Sequence, residues 1–420
     1  MSATAVFSLL LASQLSPQIP TGPIVGGSYQ LRAGVLPVEG SSQSQATVMN
    51  LLVPVLGYQR AERRHRWSAA YRPRLSYSSP PVTTLERPLI LHRLHFSLAS
   101  QLNRRLNLET DFSFQAGDLD YTTINLVLMP QQTTLPSLDV LQWFHGRGSG
   151  QFTYRSSRQI MLGVRVEANY NLPLNEESQE GVARSATFDL APFLSFQETR
   201  RNASRVELNL RYAWFPEQGI YGIAEPELVH DYLPMNDAKL ELKVGAAFVR
   251  VFDSYEFTAM QPGDQEISPI GSIRWTQKLW NQRKKSLFFA AAAVLRWSFD
   301  PILALPLQQA GSRIGMALTL GPAWTLATWS SFTTALKSKD AQALLDPNGD
   351  PRNDQALLQI NSPISYAFSR EWQGSFGLRA TLRGPAVYYG YSAALIELWG
   401  FLGIRYLFDG PKVPAALNSY

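Results

Sequence analysis

The chain contains no cysteine, little charge and no long apolar run. Without cysteine there are no disulfide bonds, thiolate metal sites or thiol nucleophiles. Charged residues make up 17% of the 420 residues, against a usual share of about 25%. The longest apolar run, Leu287 to Leu295, is far shorter than the roughly 20 residues that a membrane-spanning helix needs. A polytopic helical membrane protein is therefore excluded.

Basic residues exceed acidic ones, for a formal net charge of +5. They are scattered in ones and twos, whereas a nucleic-acid-binding protein usually presents a basic face or tail. We therefore expect no nucleic-acid partner.

The amino terminus has the apolar core of an export signal. Residues Ala5 to Leu15 have the length of a signal-peptide core, but no Lys or Arg precedes Arg32. We expect an atypical signal peptide at 1–19 and a periplasmic leader at 20–27, with a short buried helix as the alternative.

Apolar and polar residues alternate over long stretches of the rest of the chain. From Leu106 to Ala116 almost every second residue is apolar, which predicts a strand with one apolar and one wet face. The same period recurs at 160–171, 205–214, 239–248 and 375–383. These stretches are about 10 to 15 residues long, against a usual strand of about 5 to 6. A soluble β-sandwich alternates too, but with shorter strands.

Aromatic residues stand at the ends of the apolar rows, as at Tyr212, Trp214, Trp399 and Phe408. Outer-membrane barrels place aromatic rings at both water interfaces. We therefore predict an all-β protein, an antiparallel up-and-down transmembrane β-barrel over residues 28–409, in the outer membrane of a Gram-negative cell. Its surroundings would be outer-membrane lipid and lipopolysaccharide.

The connections between predicted strands alternate between short and long. Short ones are predicted near residues 60–65, 104, 157, 200–203, 234–237, 281–285, 326 and 369; long ones near 80–90, 118–144, 174–185, 253–266, 301–311, 337–354 and 385–393. Short turns are periplasmic in bacterial barrels, and this pattern predicts about 18 strands. A barrel of that size encloses a water-filled passage, which favours transport.

The segment Trp399 to Phe408 resembles the carboxy-terminal assembly signal of bacterial outer-membrane barrels. The resemblance rests on Gly403, Tyr406 and Phe408, and it implies recognition by the barrel assembly machinery. The segment departs from that signal at Phe401, where a polar residue is usual, and in being followed by a tail, expected in the periplasm at 410–420.

A narrower resemblance concerns the arrangement of the whole chain. With its leader, its predicted strand number and the stretches 91–96 and 119–121, the chain resembles the barrel component of myxobacterial polysaccharide export. The resemblance implies a conduit for a polysaccharide, working with a periplasmic polysaccharide export protein.

The polar rows assign a set of basic residues to the lumen. These are Arg165, Arg205, Arg211, Lys239, Lys243, Arg274, Lys278, Arg313, Arg379, Arg383 and Arg405. Fewer acidic residues share these rows, so we expect a basic wall that favours anions such as an anionic polysaccharide. The alternative is that these residues pair with carboxylates on neighbouring strands and brace the sheet.

The short turns carry a second basic set. Its members are Arg63, Arg64, Arg104, Arg105, Arg200, Arg201, Arg283, Lys284 and Lys285. We expect this periplasmic rim to receive an acidic polymer or an acidic partner ring. The alternative is that exposed turns simply carry solvated charge.

The sequence does not indicate catalysis, a metal or a cofactor. His92 and His95 are close in sequence but face opposite sides of a strand. The Asp- and Asn-rich loop 346–354 lacks the spacing of a calcium loop, and its composition is that of an exposed turn. Two other functions stay open: a passive porin for small anions, whose constriction or cap would be 118–144, and a surface adhesin or scaffold with a closed lumen.

Overall fold

The computed structural model describes residues 21–37, 44–79, 87–119, 141–175, 184–216, 219–235, 237–254, 262–282, 285–300, 305–321, 323–338, 357–369, 371–388 and 391–407. The predicted signal peptide, the tail 410–420, Phe408 and the loop 346–354 lie outside these ranges. No helix among the described residues is long and apolar enough to cross a membrane.

The described residues form one antiparallel sheet of nineteen strand segments. These are β1 (Gly22–Pro37), β2 (Ser44–Ala61), β3 (His65–Tyr71), β4 (Arg74–Ser79), β5 (Leu89–Gln101), β6 (Leu106–Leu119), β7 (Leu141–Arg155), β8 (Ile160–Pro173), β9 (Ser185–Gln197), β10 (Asn202–Phe215), β11 (Gly219–Met235), β12 (Ala238–Ser254), β13 (Gln265–Gln282), β14 (Lys285–Asp300), β15 (Leu305–Leu320), β16 (Trp324–Ser338), β17 (Leu357–Ala367), β18 (Trp372–Tyr388) and β19 (Tyr391–Leu407).

Segments β3 and β4 are two halves of one strand. Both pair with β2 on one side and with β5 on the other. The break falls at Arg72–Pro73, because a proline has no N–H to give to the ladder. The Arg72 N–H still bonds the carbonyl of Arg93, at 2.8 Å. The described sheet therefore has the predicted 18 spanning strands.

The sheet closes on itself along β1 and β19. Their register runs from Gly26↔Leu407 to Val35↔Leu398, so β1 has a partner on both sides. Trp399 lies against Gly34, where an added Cβ would meet the indole at 2.5 Å. Trp399 is therefore buried on the inner face of this seam, and its predicted place in an outer aromatic girdle is wrong.

The strand β1 begins earlier than expected. Residues 22–27, assigned to a periplasmic leader, pair with β2 from Gly22↔Gln59 onward. They belong to the barrel wall because the paired backbone of β2 continues to Ala61.

The outer face is apolar, as the alternation predicts. Leu378, Ile267 and Val244 are 70%, 69% and 62% exposed, whereas their sequence neighbours Arg379, Ser268 and Lys243 turn to the other face. Rings cluster at the short-turn end, where Trp372 packs on Tyr406 at 4.7 Å between centroids. Such an exterior suits hydrocarbon and not water.

Tight turns occupy one end of the barrel, and several share one device. The side chains of Asn103, Ser157, Thr199 and Ser369 accept bonds from backbone N–H groups two or three residues ahead. Asn, Ser and Thr favour turns for this reason. The predicted turn at Leu326 is wrong: it lies at Gly321, whose φ of 67° suits glycine.

Parts of two predicted long connections are strand. Strand β15 begins at Leu305, within the predicted loop 301–311, and β18 and β19 pair up to Tyr388↔Tyr391, within 385–393. Pro385 indicated a loop, but it sits beside a register shift, where a sheet tolerates proline.

Candidate functional site

Ion pairs cross the inner face of strands β7 to β13, which we call the paired wall. Its central rows hold acidic and basic side chains in equal number: Arg147, Arg165, Arg205, Arg211, Lys239, Lys243 and Arg274 with Glu167, Asp189, Glu207, Glu225, Glu227, Asp231 and Glu241. The expectation of a net basic wall is therefore wrong in this sector, and the bracing alternative describes it better.

Glu207 is the centre of the paired wall. Its side chain is 1% exposed and contacts Arg165 of β8 and Arg205 of β10, the second at 3.0 Å. Both guanidinium groups also lie over the ring of Phe193, at 6.0 and 5.6 Å from its centroid. Because β9 separates β8 from β10, the contact between Arg165 and Glu207 passes over the inner surface of the sheet.

The ladder continues toward β13. Lys239 lies 3.0 Å from Asp231, Lys243 lies 3.7 Å from Glu227, and Arg274 lies 3.7 Å from Glu241. Arg211 contacts Glu225. These pairs join neighbouring strands and brace the wall.

The three carboxylates of β11 were missed from the sequence. Glu225, Glu227 and Asp231 share the inward row with Tyr221 and Val229, which are buried. Because Pro226 and His230 stand in the outward row, the apolar-to-polar contrast of this strand is blurred. Only its register with β10 and β12 gives the orientation.

The opposite sector, β15–β19 with β1–β6, is different in charge, and we call it the basic wall. Its inward rows include Arg32, Arg74, Arg93, Arg313, Arg379 and Arg405, with Glu109 and Asp111 as the carboxylates among the described side chains of these rows. Asp111 lies 2.8 Å from His95. The backbone of Arg383 belongs to β18, but its side chain is outside the described part. Lys278 lies beside the register shift of β13, and its N–H bonds the carbonyl of Asp237 at 2.8 Å.

The outer end of β14 leaves β13 and folds into the lumen together with the start of β15, which stays paired with β16 as far as Leu307↔Ser338. Strand β13 pairs with β12 from Gln265 onward, but its pairing with β14 begins only at Gly271↔Leu295. Beyond that point β14 and β15 pair with each other, up to Asp300↔Leu305. Consecutive residues 306–309 are all buried, which a wall strand with a lipid face does not allow. We call residues 296–309 the inner hairpin; its tip, 301–304, lies outside the described ranges.

Trp297 anchors the inner hairpin to the paired wall. Its side chain is fully buried against Ile223, Ala247, Val249 and Ile270, inward residues of β11, β12 and β13. Its indole N–H donates to Ser268 Oγ.

Two further bonds hold the inner hairpin. Arg211 Nη1 donates to the carbonyl of Trp297 at 2.7 Å, reaching from β10 to β14 across the inside of the barrel. Gln308 Nε2 donates to the carbonyl of Pro269 at 3.3 Å. The inner hairpin therefore narrows the lumen on this side. The predicted constriction spans residues 118–144, and its central part, 120–140, lies outside the described residues.

The predicted periplasmic rim residues lie at the tight-turn end. Arg63 and Arg64 occupy the β2–β3 turn, Arg104 and Arg105 the β5–β6 turn, and Arg200 and Arg201 the β9–β10 turn, all with exposed side chains. Lys285 begins β14, with its ammonium 5.7 Å from the ring of Trp280. Arg283 and Lys284 are outside the described residues.

At the other end, Asp118 binds Arg87 in a two-pronged pair at 2.7 and 3.0 Å. It also accepts the Ile90 N–H at 3.2 Å. This contact raises the pKa of the Arg87 guanidinium, through the hydrogen bond and the charge of Asp118.

The two neighbouring histidines are on opposite faces, as their spacing predicts. His92 bonds the exposed Tyr71 hydroxyl at 2.7 Å, while His95 contacts Asp111. Within the described ranges no group of His, Asp or Glu side chains is arranged to hold a metal ion.

The closed sheet, its apolar exterior and its charged interior define a transmembrane β-barrel of the outer-membrane type. No protein-family model matches the chain, and no curated protein sequence matches it.

Among solved structures, the chain is similar in architecture to OccAB4 of Acinetobacter baumannii, with a TM-score of 0.42, 9% identity and coverage of 93% of this chain and 99% of that one. For the FrpB iron transporter of Neisseria meningitidis the TM-score is 0.48 and the identity 8%, with 96% of this chain and 83% of that one covered. For a bacterial polysaccharide outer membrane secretin the TM-score is 0.33 and the identity 9%, with 90% of this chain and 98% of that one covered. The similarity to these structures is one of barrel architecture alone.

Proposed function

We propose that this protein is an outer-membrane conduit that passes a polysaccharide across the membrane, together with a periplasmic export partner. The observation that carries the proposal is the interior. The inward rows of both walls carry many charged and hydrogen-bonding side chains beside apolar clusters such as the one around Trp297, and an 18-stranded barrel is wide enough to enclose a water-filled passage. A chain of hydroxylated sugars needs such a lining along its path.

The rim arginines that the structure describes support a periplasmic partner. The β2–β3, β5–β6 and β9–β10 turns bring six exposed arginines to one end of the barrel. Exposed cations on tight turns are held close to the membrane surface, where they attract an acidic partner or polymer over about a Debye length. Lipopolysaccharide around the barrel, and the barrel assembly machinery acting on Gly403, Tyr406 and Phe408, complete the proposed partners. The role is non-catalytic.

Deletion of the gene tests the conduit. Surface polysaccharide should be lost while the sugar accumulates in the periplasm. Normal surface polysaccharide in the deletion strain would remove export from the proposal.

Charge reversal tests the rim. The double variant Arg63→Glu with Arg64→Glu should lower export while leaving the barrel assembled, because the substitutions change only exposed turn residues. The matched control is Arg60→Glu with Glu62→Arg, which exchanges the partners of a 2.6 Å pair beside the same turn and leaves the net charge unchanged. Equal export in all three strains would exclude docking at this rim.

A passive porin for small anions is the second candidate, favoured by the arginine excess of the basic wall. Liposome swelling separates the two. A porin should admit small organic anions at a rate that falls as salt rises, and the gene deletion should leave surface polysaccharide intact.

A further inference from the structure

A patch of five side chains lies on the inner face of β16–β18, and three of them carry a buried polar atom without a hydrogen-bond partner in the described part of the chain. It consists of Trp329, Gln359, Asn361, Arg379 and Thr381, which we call the polar row. Their neighbours Phe332, Ile360, Leu378 and Leu382 are exposed on the outer face, so the polar row faces the lumen.

The strand register places these five side chains side by side. Gln359 is directly opposite Thr381, and Asn361 is directly opposite Arg379. Trp329 is directly opposite Asn361 on its other side. Paired residues have Cβ atoms about 5 Å apart, and successive inward positions are about 7 Å apart along a strand. The polar row therefore covers an area comparable with one or two sugar rings.

Three polar atoms of the row have no hydrogen-bond partner among the described residues. They are Nε2 of Gln359, Oδ1 of Asn361 and Oγ1 of Thr381, all buried. Gln359 is 8% exposed and Thr381 is fully buried. A buried polar atom without a partner destabilises the fold, so three neighbouring cases indicate a surface whose hydrogen bonds are completed by another molecule.

The chemistry of the three atoms identifies what completes them. The Gln359 amide donates, the Asn361 oxygen accepts, and the Thr381 hydroxyl does both. A sugar hydroxyl can form a hydrogen bond with each of these atoms because it both donates and accepts, whereas a simple oxyanion would be repelled by the Asn361 oxygen.

The polar row also contains an aromatic and a cationic side chain, and another cation lies beside it. Trp329 offers the apolar surface on which the C–H face of a sugar ring packs, and the Arg313 guanidinium lies 4.7 Å from its ring centroid. Arg379 adds a second cation directly beside Asn361. Guanidinium groups bind carboxylates strongly, so a sugar acid is favoured over a neutral sugar.

We propose that the polar row is a saccharide-binding subsite on the lumen wall, which holds one or two units of a hydroxylated chain and prefers acidic ones. Trp329 and Arg379 are half-buried and form its opening to the lumen. The proposal rests on the proposed conduit, and it adds the place at which the passing polymer is held.

The test uses the purified full barrel in a planar bilayer. A polygalacturonate hexamer and maltohexaose are added to each side in turn, and the residence time of each sugar is read from interruptions of the current. The wild type should be blocked by both, and longer by the acidic hexamer. Absence of any block would overturn the proposal.

Thr381→Val is the central variant. It keeps the shape of the side chain and removes the hydroxyl, so the residence time of both sugars should fall about fivefold to tenfold, the effect of one hydrogen bond. The barrel should remain at least as resistant to heat unfolding in detergent, because a buried hydroxyl without a partner is lost. Arg379→Gln should shorten the block by polygalacturonate and leave that by maltohexaose unchanged.

Thr187→Val is the matched control. Thr187 lies on β9 of the paired wall, where its hydroxyl accepts a bond from Asn169 at 3.2 Å. Its loss should leave both residence times at the wild-type value. Equal effects of the two valine variants, or none from Thr381→Val, would overturn the subsite.

This result is separable from the export phenotype. If the gene deletion abolishes surface polysaccharide but Thr381→Val binds both hexamers normally, the subsite is wrong and the conduit stands. If Thr381→Val shortens the residence time of both hexamers but the deletion strain displays normal surface polysaccharide, the subsite is supported and the export role is wrong.

Discussion

Trp297→Ala should open the lumen. The indole fixes the inner hairpin against Ile223, Ala247, Val249 and Ile270, and it is fully buried there. Replacing a buried tryptophan by alanine costs about 3–5 kcal/mol, from lost burial and the cavity left behind. The ratio of seated to released hairpin should then fall by about two to three and a half orders of magnitude, since about 1.4 kcal/mol is tenfold.

The bonds from Arg211 and Gln308 remain in this variant and resist release. The Arg211 bond to the Trp297 carbonyl involves a charged donor, and such a bond contributes about 1.5–3 kcal/mol. The variant hairpin should therefore move between seated and released positions, and its channel should be noisier as well as wider. Adding Arg211→Gln to Trp297→Ala should lower the fraction of seated hairpin further, because the bond from Arg211 to the carbonyl of residue 297 is lost as well.

Single-channel recording measures this directly. The wild-type barrel should show a lower and steadier conductance than Trp297→Ala. Trp324→Ala is the matched control, because Trp324 is exposed on the outer face at the tight-turn end. Wild-type conductance in the double variant, with its β-structure intact by circular dichroism, would refute the role of the inner hairpin as a constriction.

Two further predictions concern assembly. Glu207→Gln should lower the temperature of heat unfolding in detergent by several degrees, because Arg165 and Arg205 lose their shared carboxylate. Breaking a fully buried pair costs about 3–5 kcal/mol, and the cost here is smaller because the two arginines are partly exposed to solvent. Gly34→Ala should reduce the yield of folded barrel several-fold, because the new methyl would meet Trp399 at 2.5 Å at the closing seam.

Each of these has a control in the same barrel. Glu109→Gln changes an inward, exposed carboxylate and should leave heat unfolding unchanged. Gly400→Ala lies in the same seam, where the nearest atom to a new Cβ is at 3.8 Å, and should fold normally. If Glu207→Gln melts like Glu109→Gln, or if Gly34→Ala and Gly400→Ala fold in equal yield, the corresponding argument is wrong.

The wall of the barrel follows from local sequence. Alternation at 106–116, 160–171 and 205–214 predicted the strands and their outer faces, because the side-chain period of a strand is two. The even strand number followed from counting short and long connections. Ser157, Thr199 and Ser369 occupy turns because their side chains bond nearby N–H groups.

The tertiary structure alone decided which residues each inward side chain contacts. Arg165 and Glu207 are separated by a whole strand, and Arg211 meets Trp297 across the lumen, so neither contact leaves a trace in local pattern. Trp399 satisfies the pattern of a girdle residue, yet it lies inside against Gly34. The unpartnered atoms of Gln359, Asn361 and Thr381 come together only through the register of β17 and β18. The period of two fixes which side of the wall a residue faces, whereas strand register and the folding of β14 and β15 into the lumen decide what it meets there.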